Sequence, residues 1–116
     1  MDLKFNLNCR MSCMIWYSLK GNKNGKRWQD LVGYTTEDLK KRLKSTMSPH
    51  HNWNDYLEGK LHIDHIMPKS VFNFTDSNHV DFKRCWALSN LQLLPAEENL
   101  KKSNHLTKPF QPSLAI

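Results

Sequence analysis

Between residues 8 and 20, "NCRMSCMIWYSLK", the apolar positions Met11, Met14, Ile15, Trp16 and Leu19 recur at helical spacing, which predicts an amphipathic helix stopped at Gly21. "GNKNGKRW" follows, with two glycines, two asparagines and three cations, and reads as a basic loop suited to backbone phosphates or to plain solvent. A second helix is predicted over 33–47, "GYTTEDLKKRLKSTM". Thr35 is its N-cap, Asp38 takes the third helical position, and Tyr34 is placed to staple onto Leu39. Leu39, Leu43 and Met47 form its buried stripe and Pro49 closes it, after which 50–59 reads as a connector whose Trp53 and Tyr56 cover the core.

The period then changes from helical to alternating. "LHIDHI" (61–66) predicts a strand ended by Pro68, and "LQLLP" (91–95) a second one. Between them "DFKRCWAL" (81–88) predicts a short helix packing Phe82, Cys85 and Trp86. "AEENLKKSN" (96–104) predicts a helix with acids in its first turn and lysines in its last, and 107–116 a surface tail. The order implies an α+β fold in a single domain: a helical extension over 1–60, a core over 61–106 and the tail. Trp16, Trp28, Trp53 and Trp86 read as core and cover residues rather than as platforms for bases.

Composition narrows the class of protein without naming an activity. No stretch approaches a membrane span, and "MDLKFNLNCRMSC" lacks the apolar core of a signal peptide, so the expectation is a cytoplasmic protein without a membrane partner. Three cysteines without a CxxC pair argue against both a disulfide framework and a zinc knuckle. The net charge of +6 is uneven, with 11 Lys/Arg against 6 Asp/Glu in 1–60 and 6 against 5 in 61–116. Lys26 and Arg27 in the first loop, and Lys40, Lys41 and Arg42 on the second helix, are therefore candidate phosphate contacts, with a solvated face as the plain alternative.

Strand, loop, strand and helix within about 45 residues bring the end of 61–66 toward the start of 96–104, where Asp64, His65 and Asn99 can line one groove. A carboxylate and an amide oxygen suit a hard ion such as Mg²⁺, and a neutral imidazole beside them suits proton transfer from water. Adjacent strand residues face opposite sides, so Asp64 and His65 share a site only if the strand ends or distorts there. His62 shares a face with Asp64 and reads as a supporting partner, a water-mediated ligand or a packed strand residue.

"HIDHIMP", "SNLQLL" and "ENLKK" resemble the three blocks of the HNH nucleases, whose fold is the ββα-metal finger. Upstream, "LKGNK" and "GYTTEDLKKRL" are similar to small free-standing phage proteins of that family. The resemblance implies one divalent ion, Mg²⁺ or Mn²⁺, held by Asp64 and Asn99, with His65 activating the attacking water. It further implies that Asn90 braces the loop around the site and that Lys102, with Lys101 beside it, meets DNA phosphate. The implied activity is hydrolysis of double-stranded DNA by nicking or cleavage, with a phage terminase as a partner in packaging. Two departures stand out: Asn99 occupies a place that is often His, and the paired zinc knuckles of many relatives are missing. Two other classes remain open, a DNA-binding or packaging accessory protein that does not cleave, and a zinc-stabilised interaction domain using His62, Asp64, His65 and Cys85.

Overall fold

The computed structural model describes residues 2–23 and 25–107. Helix α1 spans Leu3–Ser18, five residues earlier than the apolar period alone suggests, because the Asp2 carboxylate accepts from the Phe5 amide and starts the helix there. Leu7 adds one more turn to the ladder of Met11 and Ile15, and all three are buried. The C-terminus closes in a Schellman motif, with Gly21 N–H donating to the Trp16 carbonyl, Lys20 N–H donating to that of Tyr17, and Lys20 at φ 53°.

Two short helices arise where none is predicted. Helix α2 (Trp28–Val32) ends at Gly33 in the left-handed conformation, and α4 (Trp53–Leu57) replaces the expected connector through a capping box between Asn52 and Asp55. Helix α3 (Thr36–Thr46) starts with the capping box of Thr35 and Asp38, as its sequence predicts, and buries Leu39 and Leu43. The Tyr34 hydroxyl donates to the carbonyl of Trp86 across 2.7 Å, joining the start of α3 to the far half of the chain.

Strands β1 (Leu61–His65) and β2 (Leu91–Pro95) pair antiparallel, with Asp64 opposite Gln92 and His65 opposite Leu91. Helix α5 (Val80–Cys85) lies in the segment between them, flanked by 3₁₀ turns at Lys69–Val71 and Leu88–Asn90. Helix α6 (Ala96–Thr107) follows β2 directly and packs against both strands, tied to the start of β1 by Ala96 N–H donating to the Lys60 carbonyl. The tail expected beyond residue 107 lies outside the described residues. Among the described residues the class is a small α+β fold of six helices and a two-stranded antiparallel sheet.

The outer edge of β2 is covered by α3 rather than by a third strand. Thr46 Oγ1 accepts from the Leu93 amide at 2.9 Å, and Arg42 donates to the carbonyls of Leu91 (3.0 Å) and Ser89 (3.2 Å). One apolar core joins α1, α3 and the hairpin through Leu7, Ile15, Leu43, Tyr56, Leu91 and Trp86. Trp16 is the exception among the tryptophans: Trp28 and Trp86 are buried and Trp53 half-buried, whereas Trp16 is exposed. Truncating Leu43, which is fully buried, should leave a cavity at the α3 contact. We expect Leu43→Ala to cost about 2–5 kcal/mol in urea unfolding, against a change within about 0.5 kcal/mol for exposed Lys41→Ala.

Candidate functional site

Where β1 ends, the chain turns out of the sheet and α6 crosses the strands, producing a cavity of about 260 Å³ lined by Asp64, His65, Lys69, Asn99 and Lys102 among others. The neighbours Asp64 and His65 therefore border one space, because the strand stops at His65. Both are only 8% exposed. Ionised groups at that depth need partners, and the two side chains meet this requirement in different ways.

The Asp64 carboxylate takes two donors on one oxygen: Gln92 Nε2 at 2.9 Å from the opposite strand position and Lys102 Nζ at 2.7 Å from α6. The same ammonium donates to the carbonyls of His65 (2.6 Å) and Ile66 (3.2 Å). Three oxygens at the end of β1 thus surround one cation supplied by the protein. Asn99, one turn before Lys102, puts its amide nitrogen 3.0 Å from His62 Nδ1, which leaves its oxygen outside that contact. His62 is therefore a partner of Asn99 in this arrangement.

His65 sits edge-on to Trp86, with ring centroids 4.5 Å apart, and its Nε2 is enclosed without a hydrogen-bond partner. Burial pushes its pKa from 6.5 down to about 4; Lys69 and Lys102 push the same way, and Asp64 opposes them. The imidazole is neutral at pH 7. Its Nε2 is closed off, which leaves Nδ1 as the ring nitrogen able to exchange a proton.

Asn90 is buried and braces the turn after β1. Its Oδ1 accepts from the Met67 amide at 2.8 Å, and its Nδ2 donates to the carbonyls of Met67 (3.1 Å) and Cys85 (2.9 Å). The Asn90 carbonyl also receives the Ile66 amide at 2.8 Å. Three side-chain bonds to backbone groups fix the segment carrying Ile66 and Met67 beside His65.

The remaining predicted phosphate contacts are scattered. Lys101 and Lys41 are exposed and Lys40 is half-buried, while Arg42 has two guanidinium nitrogens committed to the edge of β2. Lys26 and Arg27 lie on a separate groove beside α1. Sequence reasoning missed Gln92 and Lys69. Gln92 is the polar residue in an otherwise apolar strand, and hairpin register is the signal that sets it opposite Asp64; Lys69, just past Pro68, carried no such mark.

Asp64 and the carbonyls of His65 and Ile66 give Lys102 Nζ all-oxygen surroundings, the donor type that a hard cation also takes. Asp64 and the amide oxygen of Asn99 fit a Mg²⁺ or Mn²⁺ ion in donor chemistry. Among the described residues no group of three or more His, Cys, Asp or Glu side chains is placed to hold a metal. Also among the described residues, no helix is long and apolar enough to cross a membrane. No family model, curated protein or solved structure matches the chain.

The pKa of His65 predicts a pH dependence of stability. Between about 4 and 6.5 the unfolded chain binds the proton that folded His65 refuses, so stability is fully present above 6.5 and is lost as pH falls through that window. Unfolding free energies from urea titrations across this range should decline by roughly 3 kcal/mol toward pH 4 on this account, and less steeply in His65→Gln.

Proposed function

We propose that this chain is a metal-dependent endonuclease of the HNH type, acting on the phosphodiester backbone of DNA through the cavity at the end of β1. The observation that carries the reading is that Asp64, His65 and Asn99 border one cavity although they are separated by up to 35 positions. Strand, strand and helix also follow in the order of a ββα-metal finger, and Asn90 has the bracing contacts that the resemblance implies.

In this proposal Asp64 and Asn99 hold one divalent ion, Mg²⁺ or Mn²⁺. Such an ion, when bound, supplies electrostatic stabilisation of charge building on the phosphate and on the leaving oxygen. His65 is neutral at pH 7 and thus able to accept a proton at Nδ1 from the attacking water. Its low pKa makes it a weak base in the free protein, and a phosphate anion brought alongside raises its affinity for the proton. Trp86 fixes the plane of the ring, and Asn90 fixes the segment that follows it. Lys69 lines the same cavity and supplies positive charge for the substrate backbone, whereas Lys102 has its three donors committed to Asp64, His65 and Ile66. A role in packaging beside a phage terminase rests on the sequence resemblance.

A second reading, a DNA-binding accessory protein without cleavage, is favoured by one observation: the Lys102 ammonium already neutralises the Asp64 carboxylate. Plasmid nicking separates the two readings. With Mg²⁺ or Mn²⁺ the wild type should nick supercoiled DNA, EDTA should stop it, and His65→Ala should lose at least about a hundredfold in rate while staying folded. DNA binding with no cleavage under any divalent ion would establish the accessory reading instead.

Lys102 gives a test that does not depend on activity. Lys102→Met leaves Asp64 without its cationic partner, which should destabilise the fold by about 1–3 kcal/mol. Millimolar Mg²⁺ should raise the melting temperature of Lys102→Met more than that of the wild type. Equal shifts would show that the carboxylate does not take a divalent ion.

A further inference from the structure

Helix α1 is apolar on two faces, and only one of them is covered. Leu7, Met11 and Ile15 enter the core, whereas Phe5, Trp16 and Tyr17 are 60, 48 and 67% exposed. They border a groove of about 740 Å³ between α1 and the loop leading into α2, whose other wall carries Lys23, Lys26 and Arg27. Among the described residues no Asp or Glu lines it. An open aromatic surface of this extent on a small domain marks a contact site, and its cationic wall selects an anionic occupant.

We infer that this groove binds a single-stranded segment of nucleic acid, its bases stacked on the aromatic side chains and its phosphates on the cations. Trp16 and Tyr17 meet edge to face, with ring centroids 5.2 Å apart at 89°, so they form a corner in which one ring can stack on a base while the other meets its edge. The loop lies close against the indole because residue 21 has no side chain. A β-carbon there would come within 3.2 Å of Trp16 Cζ2, and the φ of +84° disfavours any L side chain. Lys23 donates to Ser12 Oγ at 3.1 Å, anchoring the basic loop to α1. A base has the flat apolar faces and a phosphate the charge that these walls require together; a duplex keeps its base faces hidden in the stack. The groove shares no lining residue with the cavity at Asp64, so the inference is independent of the nuclease reading.

Binding of short oligothymidylate and oligouridylate, followed in EDTA by anisotropy, tests this without cleavage. The two strands report whether DNA or RNA is taken, and tight binding of either supports the groove. Trp16→Ala with Tyr17→Ala should weaken binding about tenfold or more, Trp16→Phe should restore most of it, and a duplex of equal length should compete poorly. Replacing Lys23, Lys26 and Arg27 together should flatten the salt dependence. The wild type carries its own probe, since Cys9 and Cys13 are exposed on this groove and Cys85 is buried. Bound oligonucleotide should slow alkylation of the first two. Three results would overturn the inference: heparin protecting Cys9 and Cys13 as well as oligonucleotide does, binding indifferent to the aromatic substitutions, or concentration-dependent protection without oligonucleotide, which would assign the groove to a second copy of the chain.

Discussion

Two five-residue strands cannot hold themselves together in water, and this chain is organised around that shortage. The hairpin is stable only as far as helices cover it. Helix α3 occupies the edge of β2, α6 lies across both strands, and α1 and α4 close the apolar side. The candidate site is a product of the same covering, because α6 cannot cross the hairpin without bringing Asn99 and Lys102 to the end of β1.

Asp64 and His65, neighbours in sequence and equally buried, show two physical solutions to the same lack of water. The carboxylate keeps company with an ammonium and an amide. The imidazole keeps company with an indole edge and gives up its positive charge, in a place where Lys69 and Lys102 already supply some. This arrangement sets a neutral imidazole next to a carboxylate paired with an ammonium.

Much of this was legible in the chain. The alternation in 61–66 located the first strand and the short run "LQLLP" the second, the Thr35–Asp38 box started α3, and the residues singled out as Asp64, His65 and Asn99 do border a common cavity. Other features depend on where distant segments land. Arg42 looked like a solvated or phosphate-facing cation until α3 was seen lying along β2, since nothing local to "LKKRLK" says what its guanidinium will reach. The short helices α2 and α4 were missed because five residues give no full apolar period, although Asn52 and Asp55 carried a usable cap signal. Trp16 reads as core because it falls within an apolar run, yet it lies about 100° around the helix from Ile15, off the face that Leu7, Met11 and Ile15 bury.

The cover over β2 has an effect on the company this protein can keep. Strand edges with free amides and carbonyls invite copies of a chain to zip together, and many small β-containing domains guard them only with repulsive charge. Here Thr46 and Arg42 occupy the hydrogen-bonding positions themselves, at Leu93 and at Leu91. A copy seeking to extend the sheet on that side would first have to peel a whole helix from the core, so clumping by that route is blocked for as long as the molecule stays folded.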